Sequence, residues 1–218
     1  MMGIAENIKK ILKELPTGVR LLAATKSRSV EEILQAIEAG VSLIGENYLQ
    51  EAAKKYERIG KKVEWHFIGH LQRNKVKKAV KIFDVIETVD SVKIAKEIDK
   101  RAKQINKIMP VMIEVNSGRE PQKAGVMPEK VIEVADEIYS LENLRLIGIM
   151  TMGPLVVSPE DIRPYFKLTK KIFDEFRYMY GKEIRYLSMG MTDTWKIAVE
   201  EGANIVRIGT GIFGPRKY

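Results

Sequence analysis

Apolar residues recur along this chain with two alternating periods. Ile4, Ile8, Ile11, Leu12 and Leu15 share one helical face, and Pro16 and Gly18 stop that pattern. Beyond it, short apolar runs predict strands at Arg20 to Thr25, Leu43 to Glu46, Glu64 to Gly69, Val85 to Val89, Pro110 to Asn116, Arg145 to Thr151, Arg185 to Met189 and Ile205 to Ile208. Between them, helical spacing predicts helices near Val30 to Ala39, Tyr48 to Ile59, Asn74 to Phe83, Val92 to Ile105, Pro128 to Leu141, Glu160 to Tyr180 and Thr192 to Glu201. Gly40, Gly60, Gly181 and Gly202 each follow a last periodic residue, where a left-handed cap wants glycine.

Strands in strict alternation with helices, several of them nearly continuous apolar runs, predict an α/β fold with a parallel sheet covered by helices. Eight such units in 218 residues favour a single (β/α)₈ TIM barrel with an extra N-terminal helix. An open doubly wound sheet is the alternative, because periodicity is blind to closure. No Gly-, Ser- or Pro-rich linker divides the chain, so residues 1–218 read as one domain.

Composition narrows the function classes. Zero cysteines remove disulfides and thiol nucleophiles, and two imidazoles, His66 and His70, make a zinc site a poor prospect. Met1 to Asn7 has no signal-peptide core and no apolar run reaches the ~18 residues of a membrane span, which places the protein in the cytoplasm. The net charge of +8 raises the question of nucleic acid. Yet the lysines of "KKILKE", "EAAKKYERIGKKVE" and "NKVKKAVKIFD" alternate with acids and apolar residues, a pattern of solvated outer helix faces. No nucleic-acid module is recognisable, so no specific nucleic-acid partner is expected.

In such a barrel the site gathers at the carboxyl ends of the strands. Lys26 follows strand one, Glu46-Asn47-Tyr48 strand two, and His66 and His70 lie in and beyond strand three. Asn116-Ser117-Gly118, Met150-Thr151-Met152-Gly153, Ser188-Met189-Gly190 and Arg207-Ile208-Gly209-Thr210-Gly211 follow strands five to eight. In barrels a phosphate site often forms after strands seven and eight, where backbone N–H groups converge and glycine admits a ligand. "LSMGMTDTW" and "VRIGTGIFG" stand at those places; either loop alone could equally be a tight turn, and together they favour phosphate. A phosphate site and a lysine on one rim suggest pyridoxal 5′-phosphate (PLP), which needs an amine for its aldehyde, donors for its phosphate and a partner for its ring nitrogen.

The blocks "LLAATKSRSVEEI", "LIGENYLQEAAKK", "WHFIGHLQRNK", "GIMTMGP" and "LSMGMTDTWKIAVEEGANIVRIGTGIFGPR" resemble the PLP homeostasis proteins, which are similar to the N-terminal barrel of alanine racemase standing alone. One departure is His70, where the family usually has proline, which bears on the shape of the third loop. The resemblance implies that Lys26 holds PLP as a covalent imine, its amine made more available by a nearby cation and partial shielding. It implies that Ser188 donates to the phosphate, with backbone donors around Gly190, Gly209 and Thr210. Arg207 matches the arginine that approaches the pyridine nitrogen in the racemase barrel, and would keep that nitrogen unprotonated. Asn47 could bond the cofactor's ring oxygen, hold Lys26 indirectly, or cap the helix from Tyr48. Met150 and Met152 would pack on the cofactor's flat face or fill the mouth, and His66 reads as a hydrogen-bonded interior residue.

Racemases of the related fold draw a second base from a further domain, and this sequence ends at Gly214-Pro215-Arg216-Lys217-Tyr218. The expectation is therefore a monomeric, non-catalytic PLP carrier with apo-PLP enzymes as possible partners and no membrane. A PLP-dependent amino-acid racemase is the alternative.

Overall fold

The computed structural model describes residues 3–215. In chain order its elements are α1 (Ile4–Glu14), β1 (Arg20–Ala24), α2 (Val30–Glu38), β2 (Leu43–Glu46), α3 (Leu49–Ile59), β3 (Glu64–Phe67), α4 (Val76–Ile82), β4 (Val85–Val89) and α5 (Val92–Lys103). They continue with β5 (Met109–Glu114), α6 (Val131–Tyr139), β6 (Leu144–Met150), α7 (Arg163–Tyr180), β7 (Tyr186–Ser188), α8 (Trp195–Glu200), β8 (Ile205–Ile208) and α9 (Thr210–Phe213). The strands pair in that order, all parallel, and β1 pairs with β8 to close the barrel.

Closure follows from the strand sequences. Buried on both faces, they send alternate side chains inward, where Leu22, Leu43, Ile68, Val85, Met112, Ile147 and Ile205 pack on the barrel axis. The opposite faces pack against the apolar stripes of the helices: Leu21, Ile44 and Val206 share one continuous core with Ile33, Ala52 and Phe176. β6 and β7 approach so closely that a Cβ at Gly148 would lie 1.9 Å from Tyr186 O, and only glycine fits. Gly40, Gly60, Gly181 and Gly202 all have positive φ, between 60° and 108°, as their places after helices demand.

The strand expectations hold to within two residues at each end. α4, α6 and α7 begin later than their periodicity suggests because each is preceded by a 3₁₀ turn, at Arg73–Lys75, Pro128–Lys130 and Pro159–Ile162. The helix expected from Thr192 starts at Trp195. Residues 191–194 form a turn in which Thr194 Oγ1 accepts the Met191 N–H at 3.0 Å and Met191 O accepts the Trp195 N–H at 2.8 Å. α9 went unpredicted, being too short to show a period. Among the described residues no helix is long and apolar enough to cross a membrane, and no group of His, Cys, Asp and Glu could hold a metal ion.

Candidate functional site

Lys26 lies in the turn after β1, half-buried, and the turn is held from beneath. Thr25 N–H donates to Gly45 O at 2.9 Å, and Thr25 Oγ1 donates to Glu46 Oε1 at 2.6 Å. Lys55 Nζ reaches in from α3 to Thr25 O at 2.8 Å and Glu46 Oε1 at 2.7 Å. On the other side of Lys26, Ser27 takes positive φ (60°), and its N–H donates to Glu51 Oε2 at 2.9 Å. Arg28, almost buried, donates to Phe213 O at 3.2 Å and to Gly214 O, tying this turn to the end of α9. Lys55 overturns the reading of its segment as a solvated face: it is 7% exposed. Its place three residues after Ala52 and four before Ile59, both buried, put it on the apolar stripe and was the available signal. Glu46 is fully buried, and that burial pushes its carboxyl above the ordinary range despite Lys55.

Lys26 opens on a cavity of about 240 Å³ shared with Asn47, Arg207, Gly209, Thr210 and Thr192. Thr192 Oγ1 accepts from Thr210 Oγ1 at 3.0 Å and from Gly211 N–H at 3.2 Å, so two hydroxyls and the start of α9 form one polar corner. Ile68, Met152 and Met191 supply apolar wall. Asn47 Oδ1 is buried without a hydrogen-bond partner, and its Nδ2 donates to Ile68 O only at 3.5 Å. Asn47 does not cap α3, whose N-cap is Tyr48. At Gly209 an added Cβ would make only ordinary contacts, 3.4 Å to Ala24 O and 3.5 Å to Ala24 Cβ. The protein's own packing therefore leaves room there, and the missing side chain enlarges the cavity.

Arg207 is 3% exposed and fixed by three acceptors: Ser188 Oγ at 2.8 Å, Thr151 O at 2.8 Å and Met152 Sδ at 3.3 Å. It ends a line of alternating charge inside the barrel. Arg20 on β1 pairs with Glu64 at 2.5 Å, and His66 donates from Nε2 to Glu64 at 3.0 Å and from Nδ1 to Glu87 at 2.5 Å. Arg207 and Ser188 then face Glu87. Burial alone would drive the proton off His66, but the two carboxylates outweigh it and the imidazole titrates above its usual range. Burial likewise opposes the charge on Glu87, and the hydrogen bond and charge of His66, helped by Arg207, hold it below the usual carboxylate range. The His66 hydrogen bond, with Arg20, brings Glu64 down to about 2. His66 is thus an interior residue, as its alternation with apolar neighbours suggested. The line it belongs to was not visible from sequence.

Of the rim residues expected to meet a cofactor, Lys26, Asn47, Arg207, Gly209 and Thr210 share the cavity. Ser188, Gly190 and Met150 do not line it. Leu187 packs outward, so strand alternation sends Ser188 into the barrel, where its hydroxyl accepts from Arg207. Gly190, with φ of 91°, is needed for packing: a Cβ there would lie 2.5 Å from Ala198 Cβ. Met150 is fully buried at the end of β6, and the methionines at the cavity are Met152 and Met191. Thr192, which the sequence did not single out as a site residue, lines the cavity. His70, in the third loop, is exposed and lies 3.2 Å from Asp90.

Comparison with known proteins bears on the family and the fold. A model of the alanine racemase N-terminal domain matches residues 2–217. The pyridoxal phosphate homeostasis protein of Aquifex aeolicus is 42% identical over 219 residues, covering 99% of this chain and 96% of that protein. The protein of the same name from Schizosaccharomyces pombe is 37% identical over 202 residues, covering 91% and 85%. PipY of Synechococcus elongatus PCC7942, solved with PLP bound, superposes with a TM-score of 0.90 at 31% identity, covering 97% of this chain and 100% of PipY. Alanine racemase of Clostridium difficile 630 shares the fold with a TM-score of 0.86 at 19% identity, the match covering 99% of this chain and 57% of the racemase. The chain therefore belongs to the alanine racemase N-terminal domain family, among the pyridoxal phosphate homeostasis proteins.

Proposed function

We propose that this chain binds PLP as an imine with Lys26 and serves PLP homeostasis by holding, buffering or delivering the cofactor to apo-PLP enzymes. In this reading residues 1–218 act as one PLP-binding domain, monomeric, cytoplasmic and not itself a vigorous enzyme. The observation that carries it is the convergence, around one cavity, of Lys26, the buried Arg207, the partnerless Asn47 Oδ1 and the Thr192–Thr210 corner. That donor set fits PLP: an amine, a fixed cation, a side-chain amide in need of a partner, and hydroxyls beside the first turn of a helix.

When bound, PLP supplies an aldehyde that condenses reversibly with a primary amine. The residues do the rest. Lys26 offers the amine, held in place by the Thr25 and Ser27 contacts on either side of it. Thr192, Thr210 and the amides opening α9 would hold the phosphate. Arg207, a donor that stays charged, would serve the ring nitrogen and oppose its protonation. Met152 and Met191 would shield the ring from water.

Borohydride reduction of the PLP-loaded protein followed by peptide mapping tests the proposal. The pyridoxyl group is expected on the peptide containing Lys26, and a label mainly on another lysine overturns it. Because Arg207 works against carbanion stabilisation, α-proton exchange of L-alanine in deuterium oxide should stay at the rate of free PLP. Rapid loss of the α-proton NMR signal would favour a racemase instead.

A further inference from the structure

Beside the Lys26 cavity, and sharing Met152 and Met191 with it, the barrel mouth holds a second cavity of about 350 Å³ at the ends of β5 and β6. Its wall is mostly carbon, with Val115, Ala124, Pro154 and Leu155 joining the two methionines. The polar groups on that wall are matched within the protein. Asn116 Nδ2 donates to Glu120 O at 2.8 Å, and Asn116 Oδ1 accepts the Glu120 N–H at 3.1 Å. Ser117 Oγ lies 2.9 Å from Thr151 Oγ1, and Lys123 Nζ lies 2.7 Å from the Glu120 carboxylate.

Glu114 is different. It ends β5, lines the cavity and is only 8% exposed, yet its carboxyl makes no hydrogen bond or ion pair among the described residues. The charges that act on it are Arg207 from β8, which also faces Glu87, and Asp90 beyond β4, which lies 3.2 Å from His70. A nearly buried carboxyl turned toward a space it does not fill leaves a strong acceptor unused.

We propose that this second cavity binds a small organic cation: an aliphatic ammonium whose N–H reaches Glu114 and whose carbon body lies on the apolar wall. A metal ion is a poor fit, because a single carboxyl stands there and no metal-holding group exists among the described residues. A zwitterionic amino acid fits less well than a simple amine, because Lys123, the cation on the wall, is already engaged by Glu120. A neutral apolar molecule would fill the space and leave Glu114 unanswered. The volume is at the small end for ligand sites, which sets the size of the guest. Burial, with Asp90 adding to it and Arg207 opposing, lifts Glu114 to about 7, so a bound cation favours the ionised form and its binding releases a proton. Sharing Met152 and Met191, the guest would sit next to whatever Lys26 holds.

Calorimetric titration of the whole protein with N,N-dimethylpropylamine, against 1-pentanol as a neutral comparator, tests this. A tertiary amine cannot condense with an aldehyde to a stable imine, so the result is independent of the reading of Lys26. The ammonium form should bind, and 1-pentanol should bind about tenfold or more weakly. Affinity for the cation should rise between about pH 6 and pH 8 as Glu114 ionises. E114Q should weaken the cation by about tenfold to a hundredfold while leaving 1-pentanol unchanged, its fold checked by circular dichroism. Absence of cation binding, equal binding of the alcohol, or a flat pH profile overturns the proposal from the unaltered protein alone, and an unchanged affinity in folded E114Q overturns it as well. Failure of the borohydride label to reach Lys26 would sink only the PLP reading.

Discussion

Two ionic clusters, the outer one buried at Glu46 and Lys55 and the inner one part-exposed at Arg20 and Glu64, support the mouth of this barrel, and they work in opposite ways. The Lys55–Glu46–Thr25 cluster lies between the sheet and α3 and touches the backbone of the Lys26 turn directly. The Arg20–Glu64–His66–Glu87–Arg207 line runs inside the barrel and reaches the cavity only through Arg207, its last member. The outer cluster fixes where a main-chain segment is; the inner line fixes the charge and aim of one side chain. Damage to the first should therefore be felt as lost stability and lost geometry, and damage to the second as a changed response to pH.

The largest effect is expected from K55M. Methionine keeps most of the volume but leaves Glu46 buried without its cation, a loss of about 3–5 kcal/mol by urea unfolding, together with slower trapping of PLP at Lys26. The double variant K55M/E46Q, with no charge left to bury, should recover part of that stability. If K55M unfolds like the unaltered protein, the outer cluster does not support the turn.

T192V comes next. It removes the hydroxyl of the polar corner and should weaken PLP by about tenfold to a hundredfold, measured by fluorescence titration, while affinity for pyridoxal, which lacks the phosphate, changes little. Equal losses for both ligands would move the phosphate elsewhere.

H66Q should cost about 1–3 kcal/mol at about pH 5 to 6 and less as the pH is raised. The sign follows from the shifts. His66 titrates above 6.5, so its contribution is complete below that value and fades as pH rises through its raised folded value. Glu64 and Glu87 titrate below 4.5, so theirs is complete above that value and fades as pH falls. The line is thus strongest in the interval between. The deficit of H66Q should therefore be full at about pH 5 to 6 and shrink as pH rises through the raised titration of His66. An unchanged deficit would show that His66 acts by packing rather than charge.

The smallest effect belongs to S188A. Its hydroxyl meets Arg207 rather than the cavity, so PLP affinity should fall by less than about tenfold. A loss equal to that of T192V would restore Ser188 as the phosphate donor.

The strands and their order were legible because alternation and apolar runs record burial on both faces of a sheet. Parity along β7 was legible too, and it tells where Ser188 goes: a hydroxyl before a glycine looks like a phosphate loop, and the pleat turns Ser188 inward, toward Arg207. Thr192 was read as the start of a helix, because the 191–194 turn hides within one continuous pattern. Lys55 was lost among neighbouring lysines, where composition spoke louder than its place on the stripe of Ala52 and Ile59. The inner line escaped because its members come from β1, β3, β4 and β8, and only closure brings them together.

Closure also sets the order of events in the life of the chain. The turn bearing Lys26 follows the first strand, and Arg207, Gly209 and Thr210 belong to the last strand and its exit, with Leu22 opposite Arg207 across the β1–β8 seam. Arg28 latches that seam by a hydrogen bond to Phe213 O, 185 residues away in sequence. A ribosome-bound chain still lacking β8 holds only half of the cavity, whatever else has folded. Joining such distant ends is entropically costly, and a ligand gripping both sides favours the joined state by mass action. Cofactor capture by a nascent chain would then report the final act of folding.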